Sequence, residues 1–114
     1  MTDTLTAAEV RALREGLGVT ADWLAGHLDV RPRTVQRWEA GTTAAPSFAV
    51  NALLLLEAQA AEQVTAHLDA YAASDAPPIL AIADSGEHGW PPGWQRMIAW
   101  RVRQAVPGLR IIDA

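Results

Sequence analysis

The strongest constraint on this chain is one long helical stretch, residues 47–73, in which Leu53, Leu54, Leu55 and Leu56 are apolar on every side. A helix that is apolar all round is buried between layers rather than laid on one surface. Its inner half is expected to complete a first core. Its outer face must then meet the C-terminal segment, a second copy of the chain, or both. A mainly α architecture follows, with packing on two sides of this element.

Upstream, residues 5–45 read as three short helices. Thr6 followed by Glu9 is a capping box, in which the hydroxyl and the carboxylate each satisfy an amide at the helix start. Val10, Leu13 and Leu17 then recur at helical spacing, and Gly16 and Gly18 end the element. Thr20 caps a second helix, Ala21 to Leu28, with Leu24, Ala25 and Leu28 inward. Asp29-Val30 is a tight turn. Pro32 suits the first turn of a third helix, since its missing N–H has no partner there anyway. Val35 and Trp38 lie three apart and face the core, and Gly41 supplies the stop. Residues 42–46 connect to the long fourth helix.

Downstream, Asp75 to Pro78 breaks that helix. Ile79 to Ala83 reads as a strand, Asp84 to Gly89 as a polar loop, Pro92 to Val106 as a helix and Leu109 to Ile112 as a second strand. Trp94, Met97, Ile98, Arg101 and Ala105 fall at helical spacing on one side. Strand, helix, strand allows a crossover with parallel strands. A two-stranded sheet is marginal alone, so it needs the fourth helix or pairing across a dimer. The expected division is an N-terminal four-helix domain, residues 1–56, and a strand-helix-strand extension, residues 57–114.

Composition narrows the function classes. The 114 residues contain no cysteine, which excludes a disulfide framework and the usual zinc ribbons. No secretion signal is visible after Met1, and the longest apolar run is too short and alanine-rich to span a membrane, so a cytoplasmic protein is expected. The net charge of −4 argues against a chain coated in nucleic acid. A local basic face remains open, because the field near a site depends on arrangement.

Such a face stands at "VRPRTVQRWEAG", residues 30–41, which holds three of the nine basic residues. Two helices joined by a turn of about three residues, the second rich in arginine, make the helix-turn-helix pattern. The second helix of that pattern enters the major groove, and its N-terminal residues reach base edges. Arg33 and Arg37 are four apart and share one face, opposite Val35 and Trp38. Arginine pairs with guanine O6 and N7 through two hydrogen bonds. Gln36 could read an adenine from a more lateral position. Arg31, just before the helix, is better placed for phosphate, and Thr34 could serve either role.

Residues 6–56 resemble the helix-turn-helix of the Xre and phage-repressor class, on Thr20-Ala21, Leu24-Ala25 and "TVQRWEAG", whose Trp38-Glu39-Ala40-Gly41 ending is similar to that class's apolar-Glu-x-Gly close. The resemblance implies base reading at Pro32, Arg33 and Arg37. It implies phosphate contacts at Thr20, at the amide of Ala21, at Arg31 and in the Thr42-Thr43 loop. Proline brings no donor to position 32, and alanine replaces the polar side chain often found at position 21. The C-terminal part, with "WPPGWQRMIAWRVRQAV" and its Ile98-Ala99-Trp100-Arg101 run, resembles small autorepressors associated with anti-CRISPR operons. That resemblance implies a homodimer, with the contact falling on Ile79, Ile82, Trp94, Ile98, Trp100 and Ile111.

Other residues carry blander expectations. Trp38 is a core residue, and Glu39 is structural, pairing with an arginine. Trp23 packs on the first helix or sits half exposed at an interface. His27, His67 and His88 are scattered, and His67 and Asp69 point to different sides of a helix, so no metal site is expected. Residues 85–88 form a polar turn, since no paired carboxylate or activated nucleophile accompanies them. No catalytic residue, cofactor or ligand pocket is expected. Arg96, Arg101 and Arg103 with Trp94 and Trp100 are read as a dimer core with a basic rim, the rival being a stacking surface for single-stranded RNA. The sequence thus points to a homodimeric repressor on a palindromic DNA operator. The alternatives are an antitoxin whose C-terminal unit binds a toxin, and an interaction module with a degenerate helix-turn-helix.

Overall fold

The computed structural model describes residues 4–75, 79–84 and 89–114. The expected break at 76–78 and the polar turn at 85–88 lie outside the described residues. In chain order the elements are α1 (Ala7–Gly16), α2 (Ala21–Leu28), α3 (Pro32–Ala40), α4 (Ser47–Ala72), β1 (Ile79–Ile82), α5 (Pro92–Ala105) and β2 (Arg110–Asp113). The protein is mainly helical, with a parallel sheet of two strands. It divides into two compact units, Met1–Ala58 and Gln59–Ala114, and α4 contributes residues to each.

In the first unit, local chemistry sets each boundary. Thr6 Oγ1 accepts from the Glu9 amide at 3.1 Å, and Glu9 Oε1 accepts from the Thr6 amide at 2.9 Å, closing the capping box of α1. Thr20 Oγ1 accepts from the Trp23 amide at 3.0 Å and opens α2. Asp29 ends α2 in the left-handed region at φ 56, a conformation aspartate tolerates better than most side chains. Arg31 flanks α3 without capping it through its side chain, and Pro32 occupies the first turn. Gly41, at φ 78, ends α3, where any Cβ would be strained.

These boundaries rotate one apolar side of each helix into a common interior. Val10, Leu17, Val19, Leu24, Ala25, Val35, Trp38, Ala49, Val50, Leu53 and Leu56 are all buried. Leu13 and Leu28, expected inward, are half-buried. Trp38 meets Phe48 edge-on, with ring centroids 6.3 Å apart, which joins α3 to the start of α4. Trp23 stacks on His27 at 4.9 Å within α2, the i and i+4 neighbours of one helix face. Along α4 the four leucines divide: Leu53 and Leu56 are buried, Leu54 is half-buried and Leu55 is exposed. Leu55 and Phe48 are seven residues apart, about two turns, so they share the outer face.

In the second unit the strands run parallel, with Ile79 opposite Arg110 and Ile82 opposite Asp113. The Ala114 amide adds a bond to the Ile82 carbonyl at 2.8 Å. The second strand begins one residue later than the sequence suggests, because Leu109 is buried and its amide bonds to the Val106 carbonyl in the preceding turn. The inward face of α5 also differs from the expected one. Trp94, Ile98, Ala99 and Val102 are buried, Met97 and Arg101 are half-buried, and Ala105 is exposed. The stripe advances in steps of four, and valine takes the place expected for Arg101 because its side chain carries no charge to desolvate. Ala60, Ile82 and Leu109 complete the interior. No described helix is long and apolar enough to cross a membrane.

Candidate nucleic-acid interface

The α3 helix separates its residues cleanly. Val35 and Trp38 are buried, Thr34 and Glu39 are half-buried, and Arg31, Pro32, Arg33, Gln36 and Arg37 are exposed. Arg33, Gln36 and Arg37 stand at i, i+3 and i+4, so they share one face. Arg33 and Arg37 are separated by ~6 Å along the helix axis, close to two base-pair steps. Among the described residues, none of Arg31, Arg33 and Arg37 forms an ion pair. Their guanidinium donors face water, and each can turn to a partner outside the chain.

The buried side of α3 is fixed by a charged pair. Arg14, on α1, donates from Nε to Glu39 Oε2 at 2.7 Å and from Nη2 to Glu39 Oε1 at 2.8 Å. Its Nη1 donates to the Val19 carbonyl at 3.0 Å. This is a bidentate fork, the strong form of the interaction. The two side chains are only 14% and 10% exposed, so little water competes. The hydrogen bond to Glu39 raises the Arg14 pKa above its ordinary value, against the opposing effect of burial. Glu39 thus ties the end of α3 to α1 and points away from the exposed arginines, as the structural reading of it required.

The phosphate candidates fall in two places. At the start of α2, the Thr20 hydroxyl already accepts from the Trp23 amide, while the Ala21 amide belongs to the first turn and has no intrahelical partner. Asp22, exposed in that same turn, favours the helix dipole but opposes a phosphate. After α3, the Thr42 and Thr43 amides both bond to the Arg37 carbonyl, at 3.0 and 3.4 Å. Only the exposed side-chain hydroxyls of these two threonines therefore remain for a partner.

The candidate dimer residues do not form one surface. Ile82, Trp94 and Ile98 are 6%, 1% and 3% exposed, inside the second unit, while Ile79 and Trp100 are exposed and Ile111 is half-buried. Trp94 and Trp100 are six residues apart, about one and two-thirds turns, which puts them on different faces of α5. A second copy, or an RNA, would meet Trp100 and Ile79 rather than Trp94.

The sequence reading missed a cleft in the second unit. It encloses about 390 Å³ between the C-terminal part of α4, β1 and α5. The one signal for it was the Trp90 and Trp94 spacing, which stacks two indoles at 4.1 Å on one helix entry. No protein-family model matches the chain, and no curated protein matches it.

Proposed function

We propose that this chain is a sequence-specific DNA-binding transcriptional repressor that reads an inverted-repeat operator as a homodimer, working in the cytoplasm. In this reading α2 and α3 act as a helix-turn-helix. α3 enters the major groove, Arg33 and Arg37 read guanines, and Gln36 contributes from the side. Arg31, the Ala21 amide and the hydroxyls of Thr20, Thr34, Thr42 and Thr43 contact phosphates. Pro32 meets the bases by shape alone. The observation that carries the reading is the division of α3: an exposed face of Arg33, Gln36 and Arg37 without ion pairs among the described residues, backed by Val35, Trp38 and the Arg14–Glu39 fork.

Selection of bound duplexes from a random DNA pool tests it. The expected product is a palindrome with guanines in each half-site and half-site centres about 34 Å apart, or a multiple of that. An unenriched pool, with binding insensitive to salt, would sink the proposal. A second reading, an antitoxin whose second unit binds a toxin, draws support from the exposed apolar side chains of Ile79, Trp100 and Ile112. It predicts a stable complex with a small toxic protein that leaves operator selection intact.

A further inference from the structure

The cleft of the second unit is built from few parts. Leu80 and Ile82 come from β1, Ile98 and Trp94 from α5, and Gln63 and His67 from α4, with Trp90 at the entry to α5. Its walls are held by hydrogen bonds. Gln95 Oε1 accepts from the Ala83 amide at 2.9 Å, and its Nε2 donates to the carbonyls of Ala83 and Trp90 at 3.0 and 2.9 Å. That side chain is fully occupied in joining the end of β1 to the Trp90 backbone. Trp90 lies flat on Trp94, with the rings 11° from parallel, so the aromatic wall is a two-ring slab.

The polar groups divide unevenly. The Trp94 indole N–H donates to Gln63 Oε1 at 2.8 Å, which uses the Gln63 oxygen and leaves its amide nitrogen with two protons. No buried side-chain nitrogen or oxygen lacks a partner among the described residues, so this nitrogen is reached by water. Water bound to one donor over an apolar floor is readily exchanged for a ligand oxygen. The His67 ring lines the same space. Among the described residues, no aspartate, glutamate or arginine lines the cleft, so these walls offer a charged ligand no counter-charge for the hydration it would lose. The volume sits at the small end of the range for ligand sites.

From this we infer that the cleft is a binding site for a small, neutral, planar aromatic molecule carrying one hydrogen-bond acceptor. The ring lies against the half-buried Trp90, which Trp94 backs from the interior, over Leu80 and beside His67, and its oxygen accepts from the Gln63 amide. The inference stands on the second unit alone and is independent of any DNA-binding role.

Indole-3-carboxaldehyde, with a carbonyl acceptor, and indole, without one, are the probes. Titrated into the full chain, the aldehyde is expected to shift the assigned indole N–H signals of Trp90 and Trp94 saturably, while those of Trp23 and Trp38 stay in place. Indole should bind roughly 3- to 10-fold more weakly, the worth of one hydrogen bond. Ala66 lines the cleft yet is itself exposed, so Ala66→Phe fills the space without entering the core. That variant should keep its melting temperature and lose aldehyde binding. Absence of saturable shifts up to the solubility limit of the aldehyde overturns the inference. So do shifts that persist unchanged in Ala66→Phe.

Discussion

In the proposed reading, single residues on and beside α3 divide into readers, holders and anchors, and each class fails differently. Arg33→Ala or Arg37→Ala should cost about 1–3 kcal/mol on the selected operator and relax preference at one base pair, measured by titration against operator variants. Equal loss on every sequence would instead make that arginine a phosphate contact. Arg31→Ala should weaken specific and non-specific DNA alike and lower the salt slope by about one. Glu39→Gln touches none of these donors, yet it removes the close counter-charge of the Arg14 guanidinium, only 14% exposed, and leaves it the more exposed Glu15 at 3.8 Å. Urea unfolding should show a loss of about 2–3 kcal/mol, between that of a charged hydrogen bond and that of a stranded buried charge. A loss near zero would mean that the end of α3 is held by Trp38 packing alone.

At the scale of elements, helix ends carry more of the argument than helix interiors. Thr20 illustrates it: its hydroxyl is engaged by the Trp23 amide, so Thr20→Ala should destabilise the unit by about 1 kcal/mol through the start of α2. Any loss of DNA affinity in that variant beyond the stability effect would reveal a second role for the hydroxyl. At α1 the Glu9 carboxyl is held below its ordinary pKa, first by the hydrogen bond from the Thr6 backbone and then by that from the Thr6 side chain. A carboxyl with a lowered folded pKa stabilises the fold above its unfolded value, and that contribution is lost as pH falls through the folded value. Glu9→Gln should therefore lose less stability than the parent between neutral and acid pH, read from urea midpoints. The same locality explains what was legible in the sequence. Thr6 with Glu9, Thr20, Pro32 and Gly41 announce helix ends because each acts on an amide or a φ within three residues of itself. The Arg33–Arg37 face is legible for the same reason. The cleft is not, because it rests on Gln95 reaching twelve residues back to Ala83 and on Gln63 meeting Trp94 thirty-one residues away. Nor does local spacing tell that Trp94 turns inward and Trp100 outward.

For the whole molecule, the proposed function raises the question of how an acidic chain with few basic residues would hold DNA firmly, and a second copy would answer it. A dimer would double Arg31 and the two arginines of α3 on one duplex and match two-fold symmetry to an inverted repeat. The second unit exposes Trp100 at 59% and Ile112 at 49%, and these two line one shallow depression with Arg103, Leu109, Arg110 and Ile111. A tryptophan surrounded by arginine and aliphatic side chains is the composition of an interface centre. If a second copy covers it, Trp100→Ala removes one anchor from each protomer, at about 2 kcal/mol apiece. Together these correspond to a dimer dissociation constant raised roughly a thousandfold. Because Trp100 is exposed in the protomer, the melting of the isolated unit should barely change. Trp94→Ala is the contrast: it empties a buried site and should cost about 3–5 kcal/mol of stability. Sedimentation velocity should then find Trp100→Ala monomeric at concentrations where the parent is dimeric. Operator affinity should fall while discrimination within each half-site is kept, since Arg33 and Arg37 are untouched. Dimers that survive Trp100→Ala at unchanged strength would move the contact elsewhere, and the exposed Phe48 and Leu55 face of α4 would be the next surface to substitute.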